Sequence, residues 1–191
     1  MLSMFASVCE MCATFSSLST WSSRSTNRLA VSEMFCSAEA SVRITGTSSP
    51  SDTVSSAASG EVGRELLQRL GAAASALRGP QPWAVEAHPF RIDTTDGIGR
   101  PTPEGAHRDG VDLVAVFMLG RHRIKGGESR VFEADGPSGQ RFTLTEPWSL
   151  LLLDDARVIH ETTPIQPLVG GELGWRDTLV LTYRSGGFQG D

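Results

Sequence analysis

A chain of 191 residues has room for one well-cored domain but not for two comfortable ones. Its net charge of −5 gives no support to nucleic acid or an anionic membrane surface as partner, since both favour a basic face. No apolar run approaches the roughly 18 residues that a membrane span needs. All three cysteines, Cys9, Cys12 and Cys36, lie within the first 40 residues. An odd count outside the apparent core argues against a disulfide framework and fits a reducing compartment, so a cytoplasmic location is expected. Cys9-x-x-Cys12, with no second pair and no neighbouring histidine, is a weak zinc or redox signal.

Composition changes sharply near Gly60. Residues 1–60 hold 17 serines, and the first 40 of them only five charged residues. Met4, Val8, Met11, Phe15 and Leu18 recur at helical spacing and allow a short amphipathic helix. Gly46 to Gly60 is Ser, Thr, Ala and Pro-type sequence and reads as a disordered linker. With three arginines against four acids, the segment does not meet the arginine-rich, acid-poor signature of a transit peptide. Disordered extension, targeting segment and stretch foreign to the fold all remain open. Residues 1–60 are accordingly expected to be a Ser-rich, disordered or non-homologous segment, and 61–191 the functional domain.

From Glu61 the pattern becomes orderly. Leu66, Leu67, Leu70, Ala73, Ala74 and Leu77 mark one face of a helix that Gly79-Pro80 ends. Strand-like runs follow at Trp83–Ile92, Asp112–Leu119, Ser129–Ala134, Gln140–Thr145, Ser149–Asp154, Arg157–Pro164 and Arg176–Arg184. The breaks between them carry Asp96-Gly97, Gly126-Gly127, Asp135-Gly136-Pro137 and Gly170-Gly171. The expected fold is mainly β, an antiparallel sandwich or barrel of jelly-roll (cupin-like) type with a leading α-helix.

Histidine is scarce, and two of the four have telling company. In a strand, residues i and i+2 share a face, so His107 and Asp109 can reach one ion together. His160 follows Asp109 by 51 residues, at the end of an apolar run that reads as a buried hairpin delivering one imidazole inward. Two histidines and one carboxylate on one side of a metal leave coordination positions open, which suits non-haem Fe(II) with a cosubstrate and O2. On the last strand Arg176, Thr178, Val180, Thr182 and Arg184 alternate onto one face. An arginine beside a hydroxyl is the expected partner for a carboxylate, because the guanidinium fork binds both oxygens. Arg176 is the better candidate, with Thr178 and Thr182 as companions. Arg184, at the chain end, is the poorer one.

Blander readings exist for each. The less favoured reading of His160 is a satisfied core histidine, and that of Arg176-Asp177 a surface ion pair. His122, among Arg121, Arg123 and Lys125, reads as a solvated basic turn, and His88 as structural. Asp154-Asp155 beside a tight turn reads as a cap that orients its neighbours rather than a cation site.

At these residues the chain resembles the 2-oxoglutarate/Fe(II) dioxygenase family that includes bacterial free-L-isoleucine hydroxylases. The blocks are Pro103 to Asp112, Gly126-Gly127-Glu128-Ser129, Leu151 to His160, and Trp175-Arg176-Asp177-Thr178-Leu179, in the family's order and spacing. The resemblance implies a double-stranded β-helix, iron held by His107, Asp109 and His160, 2-oxoglutarate anchored by Arg176, and a small-molecule substrate of the free amino acid class. It further implies oxidative decarboxylation of 2-oxoglutarate by O2 to succinate and CO2, coupled to substrate oxidation. Retention of Asp109 disfavours a halogenase. Rival readings are a non-catalytic jelly-roll module binding a sugar or small acid, a cupin-like metalloenzyme without a cosubstrate, and an inactive truncated relative.

Overall fold

Apolar residues three and four apart make the stretch after Gly60 helical, and the helix, α1, runs Glu61–Arg78. It stops where Gly79 takes a φ of 89°, its N–H donating back to the Ser75 carbonyl at 2.8 Å. The computed structural model describes residues 40–44 and 61–188. The amphipathic stretch from Met4 to Leu18, the three cysteines and the linker from Gly46 to Gly60 lie outside those residues.

Among the described residues ten strands accompany the helix: β1 (Ala40–Ile44), β2 (Trp83–Asp93), β3 (Leu113–His122), β4 (Ile124–Gly126) and β5 (Ser129–Glu133). After them come β6 (Gly139–Phe142), β7 (Leu150–Asp154), β8 (Val158–Thr162), β9 (Ile165–Pro167) and β10 (Trp175–Arg184). They form a five-stranded sheet in the order β1-β2-β10-β3-β7, a three-stranded sheet β6-β5-β8, and the pair β4-β9. Every pairing is antiparallel except that of β1 with β2. Strand β1 falls within the serine-rich segment, where no strand was expected. β4 and β9, three residues each, are too short to announce themselves.

The five-stranded sheet is covered on both faces, and the alternation of its side chains explains how. Trp83, Val85, Ala87, Leu113, Ala115, Phe117, Leu179, Leu181 and Tyr183 pack with Leu66, Leu70 and Ala74 of α1. Full burial contributes about 1.5–3 kcal/mol for each large apolar side chain. Two polar contacts fix the seating of the helix: the Trp83 indole N–H donates to Ser75 Oγ at 2.9 Å, and the Tyr183 hydroxyl to the Leu67 carbonyl at 2.9 Å. On the opposite face Val114, Leu151 and Leu153 meet Val131 and Val158 of the three-stranded sheet, with Val116, Val180, Phe142 and Leu144 alongside. Two facing sheets around this second core are the jelly roll that the strand pattern led one to expect.

The expected hairpin ending in His160 is not a hairpin. β7 pairs with β3 and β8 pairs with β5, so the turn between them carries the chain from one sheet to the other. Both runs are apolar because each faces the shared core, and that composition does not distinguish a hairpin from a sheet-to-sheet corner. No helix among the described residues is long and apolar enough to cross a membrane.

Candidate metal centre

The segment between β2 and β3 carries the first two site residues. It runs antiparallel to the β8–β9 edge as an irregular extra strand. Gly99 exchanges backbone hydrogen bonds with Ile165, Thr102 Oγ1 engages both the N–H and carbonyl of Thr162, and His107 exchanges both backbone bonds with His160 at 3.0 and 2.9 Å. That last exchange places the two imidazoles side by side, with ring centroids 4.7 Å apart. His107 and Asp109 therefore stand in a loop with one isolated bridge, not in the regular strand their spacing suggested.

Beyond His107, the loop wraps a buried carboxylate. Asp155, 1% exposed, accepts the backbone N–H groups of Asp109 (3.1 Å), Gly110 (2.8 Å) and Val111 (3.1 Å). Asp155 thus orients its neighbours, as its place beside a turn suggested. Arg184 donates to the Gly110 carbonyl at 2.8 Å, which closes the loop from the far side.

Three side chains converge at this point. One ligand atom each from His107, Asp109 and His160 can be chosen so that all lie within 4.8 Å of one another. His107 Nε2 is 3.7 Å from Asp109 Oδ1, and His160 Nε2 is 3.5 Å from Asp109 Oδ2. These are gaps rather than bonds: Asp109 Oδ2 is buried and has no hydrogen-bond partner. His107 Nδ1 lies 2.9 Å from the Gly105 carbonyl, which can only accept. The proton belongs on Nδ1, and the Nε2 lone pair faces the cluster. Burial pushes Asp109 above the usual carboxylate range despite the attraction of His160, and pushes His160 below the usual imidazole range despite Asp109. A carboxylate flanked by an imidazole nitrogen at each oxygen, with one oxygen buried and unpartnered, is what a bound divalent cation would satisfy. The donor set of two histidines and one carboxylate fits Fe(II).

Arg176 and Thr178, expected to serve a carboxylate, lie on the inner face of the large sheet. Arg176 is 4% exposed, its Nε has no hydrogen-bond partner, and it makes no ion pair among the described residues. Burial, and then the like charge of Arg121, push it down to about 10. Asp177 turns the other way and takes a two-point bond from Arg91 at 2.7 and 2.6 Å, so Arg176-Asp177 is not a surface pair. Thr178, 2% exposed, stands two residues from Arg176 on the same strand face. Thr182 shares the face but lies six residues along, about 20 Å at the rise of a strand, beside Glu86 and Val114. Arg184 is further still and is committed to Gly110.

Of the other histidines, His88 faces inward opposite Val180 and stacks on Phe90, outside the three-residue cluster. His122 stacks on Trp175 at 5.7 Å.

With this geometry, comparison with known proteins is decisive. The model of a family described as 2OG-Fe dioxygenase matches residues 53–182. The chain belongs to this family. Its description implies iron, 2-oxoglutarate and O2, and the cluster of His107, Asp109 and His160 fits the iron. Among solved structures, a bsmA homologue from Methylobium petroleophilum PM1 is 60% identical, with a TM-score of 0.62 over 66% of this chain and 52% of that one. The Fe(II)/α-ketoglutarate-dependent dioxygenase TqaL is 20% identical, with a TM-score of 0.54 over 68% of this chain and 56% of that one, and shares the fold. The chain thus spans about half the length of these two proteins. No curated protein matches.

Proposed function

We propose that the protein is an Fe(II)- and 2-oxoglutarate-dependent dioxygenase that hydroxylates a small molecule of the free amino acid class. The observation that carries the reading is the convergence of His107, Asp109 and His160 around an unpartnered carboxylate oxygen. The substrate class rests on the motif resemblance of the four sequence blocks alone.

Within this reading His107, Asp109 and His160 hold the iron, and iron when bound supplies the activation of O2. The chain itself holds, orients and excludes. Gly105 fixes the His107 tautomer, and Asp155 shapes the loop that presents Asp109. Arg176 accepts the far carboxylate of 2-oxoglutarate with its planar fork, and Thr178 offers a hydroxyl beside it. Val116, Val180, Leu151 and Leu153 belong to the apolar core on the inner face of the same sheet, which disfavours water there. The balance is one 2-oxoglutarate, one O2 and one substrate C–H giving succinate, CO2 and one substrate C–OH.

The test incubates the protein with Fe(II), ascorbate, labelled 2-oxoglutarate and a panel of free amino acids, and measures CO2 and succinate. Release that one amino acid stimulates and that His160→Ala abolishes is the expected result. No release above the His160→Ala background, with iron bound, leaves a binding module as the reading.

A further inference from the structure

Arg121 is a cation that the reading above leaves without a task. Val114, Val116 and Met118 alternate onto the inner face of β3, and continued alternation points residue 121 outward, toward the helix side. The pairing with β10 skips Leu119: Asp177 stands opposite Gly120, but Thr178 stands opposite Met118. One extra residue reverses the alternation beyond it, so Arg121 comes to lie directly opposite Arg176, on the inner face.

Both terminal nitrogens of its guanidinium reach backbone carbonyls. Nη1 donates to the Leu144 carbonyl at 3.2 Å and Nη2 to the Gly126 carbonyl at 2.8 Å. Both arginines pass the same glycine. A Cβ added at Gly127 would come 3.5 Å from Arg121 Nη1 and 3.8 Å from Arg176 Cδ. Arg121 makes no ion pair with a carboxylate among the described residues, and burial lowers its proton affinity as it does that of Arg176. Two guanidinium groups gathered against each other's charge, with no acid supplied, form a site that an anion completes. A mere brace for two carbonyls needs donors but no charge, and an uncharged amide would serve. Arg121 carries five N–H groups and spends only these two bonds on the backbone.

We propose that Arg121 is a second cationic arm of the carboxylate site, approaching the far carboxylate of 2-oxoglutarate from β3 while Arg176 takes it from β10. The proposal rests on the dioxygenase reading. It makes the pocket select a dicarboxylic 2-oxo acid by charge as well as by hydrogen bonding.

The experiment titrates 2-oxoglutarate calorimetrically into the full chain loaded with Zn(II), and into the Arg121→Gln and Arg121→Lys variants loaded in the same way. Glutamine keeps a donor for the carbonyls and loses the charge, whereas lysine keeps the charge and loses the fork. Arg121→Gln is expected to raise the dissociation constant about tenfold and Arg121→Lys only about threefold, with Zn(II) affinity unchanged in both. Arg121→Gln binding 2-oxoglutarate within about twofold of the unmodified protein, whatever its melting temperature, overturns the proposal and leaves Arg121 a brace. Should that variant not fold, the unmodified Zn(II)-loaded protein labelled with [15N]arginine decides. Two guanidinium signals moving on addition of 2-oxoglutarate support the pair, and one moving alone overturns it. Absence of 2-oxoglutarate binding by the unmodified protein overturns the dioxygenase reading itself, an outcome distinct from a loss confined to position 121.

Discussion

Asp155→Asn changes one oxygen for an amide nitrogen and should damage the metal centre without touching a ligand. Asp155 Oδ1 accepts the Asp109 N–H, and Oδ2 accepts those of Gly110 and Val111. Whichever way asparagine turns, its NH2 group faces at least one backbone N–H that it cannot accept. The better orientation keeps the Gly110 and Val111 bonds and sets donor against donor at Asp109. Loss of one charge-assisted bond in a site that is 1% exposed costs about 2–3 kcal/mol of folding stability. The loop carrying Asp109 then loses its fixed position, and metal affinity should fall about tenfold to a hundredfold, as for other groups that orient a ligand. Urea unfolding of the metal-free protein measures the first effect, and Co(II) titration followed by visible absorption measures the second. Asp155→Asn with unchanged Co(II) affinity and an unfolding midpoint equal to that of the parent refutes the reasoning.

With Arg176, 4% exposed, as the anchor of the far carboxylate, Arg176→Ala removes a buried partner at a cost of about 3–5 kcal/mol and should raise the apparent 2-oxoglutarate constant a hundredfold or more while Co(II) binding stays unchanged. Arg184→Ala should leave 2-oxoglutarate affinity nearly intact but loosen the metal loop through Gly110, which Co(II) titration reads. His107→Ala, Asp109→Ala and His160→Ala should each abolish iron-dependent turnover, with circular dichroism still reporting a folded β protein, since a three-ligand site has none to spare. Burial pushes the Asp112 carboxyl up, but bonds from Ser185 and the Arg78 guanidinium outweigh it and hold the group below the usual range. Its contribution is therefore full above the ordinary carboxylate pKa and is lost as pH falls through the lowered value. Asp112→Asn should cost about 1 kcal/mol at neutral pH and nothing in strong acid, as urea unfolding across pH will show. Gly126→Ala forces a side chain onto a φ of 81° and into the Pro164 carbonyl, and should cost about 2 kcal/mol or more by the same assay.

Much of this was legible in the residues. Alternation located β2, β3, β7 and β10 to within a few positions, because each strand presents two unlike faces, one to α1 and one to the inner core. The helix was legible for the same reason, its leucines recurring at the period of one buried stripe. His160 and Arg176 stood out because polar groups of those types are uncommon inside such runs, and His107 and Asp109 because an imidazole and a carboxylate two residues apart can share one ion. Pairing was the part that sequence concealed. Leu150 to Ile159 is apolar whether its halves pair with each other or with separate sheets, so the corner at Asp154-Asp155 read as a hairpin. The strand at Ala40–Ile44 was hidden by its serine-rich surroundings, since β pairing to an existing edge asks little of side-chain composition. Arg121 was hidden by a bulge. One unpaired residue at Leu119 reverses which side chains face inward, and no property of leucine announces it.

The most direct test of the central claim is anomalous diffraction at the iron edge from crystals of this chain grown anaerobically with Fe(II) and 2-oxoglutarate. One iron peak is expected within bonding distance of His107 Nε2, a carboxylate oxygen of Asp109 and a ring nitrogen of His160, with the far carboxylate of 2-oxoglutarate on Arg176. Iron held elsewhere, or 2-oxoglutarate bound with its far carboxylate away from Arg176, would contradict it.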